Sequence, residues 1–336
     1  MNRLLLFLAW LSFLCAEPVD LTVRYLEGGG LFCQLNLVLS ALFVHEKEGI
    51  NSLAVDWTAP YVAYKDDPSP KVNGWDALFS SNRTFPCTKG ALPVHVDNFI
   101  CHAVHDQNCF HRWVDYAGYY PYFKIRSDTF HKYFRIHPKI VESANTFFRD
   151  RIGSRFPIGV HVRFASSHKH EMYRSEPVDI ATYIDEAKGL MKRYKARNPI
   201  LVLASDSDYV IKKFREHFKT LDLVYTPAPR SAYDRQPHEP FDDPKVPKNW
   251  ETFHAKKPGY YGAVMTLIDV LVLSKCAVFL HSQSNVADWA VTLNPDIDSI
   301  FLPRTVAHYP PCECPHAPFH LIPDGDTLWN RYLSRS

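Results

Sequence analysis

FPIGVHVR, residues 156–163, is an apolar run closed by an arginine, and ILVLA, residues 200–204, is a second run too apolar to face solvent on either side. Between them Ile180–Arg193 carries apolar residues at helical spacing. Two fully apolar strands joined by an amphipathic helix predict a parallel pair covered on both faces, because an antiparallel sheet with one wet face would alternate. The alternation continues downstream. Tyr209–Phe218 reads as a helix, Leu221–Tyr225 as a strand, Tyr260–Lys275 as a helix, Ala277–His281 as a strand, Ser284–Leu293 as a helix and Ser299–Leu302 as a last strand. Upstream, LTVRYL (21–26), the glycines 28–30, a helix from Leu31 to about Glu46 and LAVDW (53–57) form a βαβ opening. The expected fold is α/β, with two doubly wound halves meeting at a cleft and ligands at the carboxyl ends of the strands.

Composition fits this. The chain has 336 residues, 46% hydrophobic and 22% charged, enough apolar material for one large or two ordinary domains and too much for a disordered chain. With 38 basic against 36 acidic residues, no global field draws in nucleic acid, so an anionic ligand must be held by local charge. The expected organisation is a signal peptide over 1–16, an N-terminal domain over 17–153 with a loop-rich region at 66–122, a C-terminal domain over 154–310 and a tail over 311–336. Asn2 and Arg3 followed by an apolar run of signal length predict entry into the secretory lumen or export. The alternatives for that run are a buried first strand or an uncleaved surface anchor, the last leaving the chain at the cytoplasmic face. Past Cys15, seven cysteines make an odd set, of which Cys87, Cys101 and Cys109 are candidates for a bridge, while Cys33 and Cys276 read as buried thiols. Asn82-Arg83-Thr84 is a glycosylation sequon.

The turns after the strands collect the polar residues that could converge: Gly29 and Gly30, His161 and Arg163, Asp206, and Ser284 with Asn285. Arg163 is the most informative, because its planar fork suits phosphate oxygens, although a carboxylate at the domain junction would serve it equally. The glycine turn could let backbone approach a bound group, and Ser284 could cap a helix or help present its N–H groups to an anion. Asp269 sits in the apolar run Val264–Leu273 and therefore needs donors nearby. Neither GxGxxG nor GxxxxGK[ST] occurs. CECPHAPFH (312–320) lacks the separated ligand pairs of a closed zinc site, so no metal is expected. The stretch Thr226–Pro258, with seven prolines and the aromatics Tyr233, Phe241 and Trp250, is long for a structureless loop in a compact domain and is expected to be functional or mobile.

IGVHVR, LASDS, the run AVMTLIDVLVLSKCAVFLHSQSNVADWA and the opening GGGLFCQLN resemble, in order and spacing, the motif regions of the α-1,6-fucosyltransferases, NodZ-like proteins and protein O-fucosyltransferases. The resemblance implies a GT-B-like pair of Rossmann-like domains facing a cleft. It also implies an inverting, metal-independent transferase that moves fucose from GDP-fucose to a glycan or protein hydroxyl, and for such an enzyme Thr226–Pro258, with aromatics suited to stacking on sugar faces, is the expected acceptor-selecting loop. On it, Arg163 matches the arginine that neutralises the diphosphate, His161 and Asp269 match positions around guanine, and Ser284 and Asn285 match the phosphate turn. Asp206 matches the acidic turn of the second strand, Gly29 and Gly30 the first turn, and Glu171 the base that takes the acceptor proton. Phe164 stands where that pattern has a second arginine, and Ser166 and Ser167 where it has an Asp-Lys pair. The departure keeps a second class open, a glycan- or nucleotide-sugar-binding protein that has lost the chemistry.

Overall fold

The computed structural model describes residues 19–25, 30–45, 50–59, 64, 66, 69, 71–81, 92–96, 120–164, 178–228, 230, 259–282 and 284–302. Glu171, Gly29, the sequon, Cys87, Cys101, Cys109, most of the acceptor-loop candidate, the N-terminal segment and the C-terminal cysteines and histidines lie outside them.

The first half is built on strands β1 (Val19–Arg24), β2 (Ile50–Asp56) and β4 (Leu92–Val96), parallel and ordered β2-β1-β4, with helix α1 (Leu31–His45) between β1 and β2. β4 contains Pro93, which a parallel sheet tolerates because β4 lies at its edge. Short strands β3 (Phe79–Ser81) and β5 (Phe134–Ile136) pair antiparallel, and helices α2 (Tyr120–Tyr133) and α3 (Pro138–Arg151) flank β5. Pro138 occupies the first turn of α3, where no N–H is needed, and His137 caps it by accepting from the Lys139 backbone.

The second half is one five-stranded parallel sheet. Its strands β6 (Phe156–Val162), β7 (Pro199–Ser205), β8 (Leu223–Val224), β9 (Val278–His281) and β10 (Asp298–Phe301) are ordered β10-β9-β6-β7-β8. Helices α4 (Ile180–Arg193), α5 (Asp208–His217), α6 (Gly259–Leu273) and α7 (Asn285–Leu293) connect them. The all-buried pattern of β7 and nearly all-buried β6 follow from cover on both faces. On one face the sheet packs with α4 and α5 around Val160, Val162, Tyr183, Leu203 and Phe214. The other face joins a larger cluster that runs through α6 and α7 into the first half, from Leu21 and Leu35 through Phe130 to Leu267 and Trp289, so the two halves share one core.

Two glycines are fixed by sterics. A Cβ on Gly159 of β6 would stand 3.1 Å from both Cys276 Sγ and the Phe279 ring. Gly259 opens α6 at φ +63°, and a Cβ there would collide with the Asp66 carboxylate that accepts the Tyr260 N–H at 2.9 Å. At the opposite end of the sheet from the strand carboxyl termini, Arg155 ties three strand starts together, donating to the Pro199 and Leu221 carbonyls and pairing with Asp222 at 2.8 Å.

The expected alternation of the second half matches the observed elements, and the region expected to be loop-rich ends earlier than the pattern suggested. α2 begins at Tyr120, and its buried side includes Arg126, Ser127 and Thr129. Cys276 is buried as expected, and burial pushes its thiol well up. Cys33 is only partly buried.

Candidate functional site

The strand order places the site. The chain winds β6, β7, β8 in one direction and then returns through α6 to β9 on the other side of β6. Neighbouring crossovers therefore diverge between β6 and β9, the switch point at which open α/β sheets form a crevice beyond their strand ends. His161 and His281 are register partners on its two walls, at the last paired positions of β6 and β9.

Four sequence candidates sit around this crevice. His161 is 5% exposed within β6, and Arg163, just past the strand, is partly exposed. Asp206 fixes the turn that carries Arg163, because its Oδ1 accepts the Phe164 backbone N–H at 3.0 Å. Ser284 caps α7: its Oγ accepts the Val286 N–H at 3.1 Å, and its carbonyl accepts the Asp288 N–H. Asn285, the first residue of α7, turns its side chain toward α1, with Nδ2 3.0 Å from Cys33 Sγ and Oδ1 accepting from Asn36 at 3.2 Å. Gly30 lies at the start of that same helix, its carbonyl accepting the Gln34 N–H.

Below the crevice, His281 is fully buried, with Nε2 2.7 Å from Ser299 Oγ and its ring stacked on Phe279. Phe164, beside Arg163, stacks on Tyr209 of α5 with centroids 5.6 Å apart. It borders a groove of about 290 Å³ between α4 and α5, also lined by Asp179, Ile184, Lys188 and Lys213.

Asp269 lies toward the β8 edge of the sheet. It accepts a 2.5 Å hydrogen bond from Thr226 Oγ1, just past β8. Arg230 donates to the Thr226 and Ala228 carbonyls and lies over the Tyr225 ring at 5.3 Å, bringing its charge near the carboxylate. Burial lifts the Asp269 carboxyl from 3.8 to about 6, while the Thr226 hydrogen bond and the Arg230 charge pull it down. Thr226 and Arg230 were not singled out in the sequence, where only the need for donors near Asp269 was readable. Among the described residues no group of three His, Cys, Asp or Glu could hold a metal ion, and no helix is long and apolar enough to cross a membrane.

The raised Asp269 value sets a pH effect on stability. The folded state holds this proton more tightly than the unfolded chain, so the contribution is present below pH 3.8 and lost as pH rises through about 6. Asp269→Asn should flatten the fall in urea midpoint across that window and stabilise the chain at pH 7 by about 1–2 kcal/mol, below the full linkage value because the group keeps some solvent contact. An unchanged slope would show that another group sets it.

A doubly wound α/β chain with a crevice at its switch point is the class that these elements define. No protein-family model matches the chain, and no curated protein matches it. Among solved structures it is similar to NodZ α-1,6-fucosyltransferase co-crystallised with GDP, at 14% identity and TM-score 0.44 over 81% of this chain and 91% of that one. It is similar to POFUT1 in complex with GDP, at 11% identity and TM-score 0.42 over 85% and 99%. It is also similar to a mutant of Arabidopsis thaliana FUT1 in complex with GDP, at 12% identity and TM-score 0.44 over 88% and 74%.

Proposed function

We propose that the chain is a glycosyltransferase that moves fucose from GDP-fucose to a hydroxyl of a glycan or protein, with two Rossmann-like halves facing a cleft. The observation that carries this reading is that one sheet carries a cation and a carboxylate spaced apart: Arg163, past β6 at the switch point with β9, and Asp269, held by Thr226 just past β8. Two and a half strand spacings, about 12 Å, separate the crevice from β8. An extended nucleoside diphosphate has that length, with phosphates over the β6 turn and base toward Asp269. Ionised Asp269 suits the adjacent N–H donors of guanine, and a guanidinium suits the diphosphate.

In this reading the bond from the sugar to the β-phosphate breaks as the acceptor oxygen attacks the opposite face. Negative charge grows on the departing phosphate, where a fixed Arg163 is worth most. Glu171, in the segment after Arg163, takes the acceptor proton. Asp206 holds the Arg163 turn, His161 and Gly30 border the donor, Gly29 contributes to the first turn, and the Ser284–Asn285 turn offers N–H groups to phosphate. Arg163 supplies the neutralisation that a metal supplies in other transferases. The N-terminal segment directs the chain to the secretory lumen.

One observation favours the second reading, a binder without turnover. Phe164 occupies the place of a second arginine and packs on Tyr209. Calorimetric titration of the full chain with GDP, with and without EDTA, tests the site itself. Micromolar binding unaffected by EDTA is expected, and absence of binding would remove the nucleotide-sugar reading. Release of GDP from GDP-fucose on addition of acceptor then separates enzyme from binder.

A further inference from the structure

Side chains from three helices meet where the two halves join. Arg126 of α2, 1% exposed, donates Nη2 to Oδ1 of Asn36 at 2.7 Å and lies 5.2 Å from the Trp289 ring centroid. Trp289 Nε1 donates to the same oxygen, also at 2.7 Å. With both donors on Oδ1, the orientation of the Asn36 amide is fixed, and its Nδ2 is the atom that faces α7. That group donates to Asn285 Oδ1 at 3.2 Å, which leaves Asn285 Nδ2 toward Cys33 Sγ. Hydrogen-bond donors thus run one way, from guanidinium to amide to amide to sulfur, and the sequence ends on the first residue of α7.

A buried charge is a poor device for stability, since packed apolar side chains of similar volume do as well or better. What this one supplies is direction. Asn285 follows the cap Ser284 in the turn that forms one wall of the switch-point crevice. We propose that Arg126 and Asn36 are positioning residues for that turn: they orient Asn285, and with it the first-turn N–H groups of α7, to receive the diphosphate of a nucleotide. The inference rests on the nucleotide-sugar reading for its ligand and on the helix contacts alone for its geometry.

The test uses the full chain with Asn36→Ala and Asn36→Asp, hydrogen exchange over residues 284–289, and titration with GDP. Asn36→Ala should speed exchange in that turn at least tenfold, leave β6 and β7 at wild-type rates, and weaken GDP binding at least tenfold. Asn36→Asp still accepts from Arg126 and Trp289. It can also accept from Asn285 once that amide turns over, so it should restore slow exchange. Unchanged exchange in Asn36→Ala, or a uniform rise through the whole chain, overturns the proposal. Local loosening with wild-type GDP affinity overturns it too, because the turn would then not need this support. If wild type itself binds no GDP, the nucleotide reading falls while the exchange measurement still decides whether the node holds α7. Should Asn36→Ala fail to fold, Arg126→Lys, which keeps the charge and loses the fork, is read by the same exchange and should loosen the same turn.

Discussion

Arg163→Ala is expected to weaken GDP binding about 100-fold, roughly 2.7 kcal/mol, with little change in melting temperature. Arg163 lies past the end of a buried strand and is partly exposed, so its side chain adds little to the apolar packing of the sheet. Its turn is also held through the backbone, where Asp206 accepts from the Phe164 N–H. The loss should therefore fall on the ligand. Arg163→Lys should recover part of the affinity, since it keeps the charge and loses the planar fork. Calorimetry and a thermal melt on the same samples check both halves of the expectation. Wild-type affinity accompanied by a lowered melting temperature would mean that Arg163 serves a carboxylate at the junction instead.

The largest effect on stability is expected at Trp289. Its ring is 1% exposed, stacks on Phe32 at 5.9 Å, meets Phe130 edge-on at 5.3 Å and donates to Asn36. Trp289→Ala removes the side chain that links the packing of α1, α2 and α7, and about 4 kcal/mol should be lost to cavity and transfer terms. For a chain of this size that corresponds to a fall in melting temperature on the order of 10 °C. Trp289→Phe keeps most of the packing and loses the indole N–H, leaving Asn36 one donor short, and should cost about 1–2 kcal/mol. Urea unfolding of the three proteins measures both. A loss below about 1 kcal/mol for the alanine variant would mean that the helices repack around the gap.

The second half was legible because burial on both faces leaves an unmistakable sequence mark, as in Phe156–Val162 and Pro199–Ser205. The strand order was not, since nothing local in the sequence says that β9 returns beside β6. The order nevertheless decides that Arg163 and the Ser284 turn share a crevice. Helix α2 was missed because its buried side carries Arg126, Ser127 and Thr129, which hides the apolar stripe that marks a helix. The same polarity concealed the node around Asn36, whose partners lie 90, 249 and 253 residues away. Asp269 was visible as a carboxylate in an apolar run. Its partners Thr226 and Arg230 lie about forty residues upstream and become neighbours only when α6 crosses back over the sheet.

Parallel pairing also governs how such a chain must assemble. Every pair in the two larger sheets is parallel, and the two short antiparallel strands, β3 and β5, lie more than fifty residues apart in sequence. None of these described pairs is a tight hairpin that could close early. Each requires a crossover to be drawn in first, so the entropy of loop closure precedes the contacts that reward it. Until β9 docks beside β6, the edge of β6, with Ile158, Val160 and Val162, has an open side, a surface that invites pairing with other chains during synthesis. The arrangement that creates the crevice thus makes its last wall a non-local, late-synthesised contact, since β9 follows β6 by more than a hundred residues.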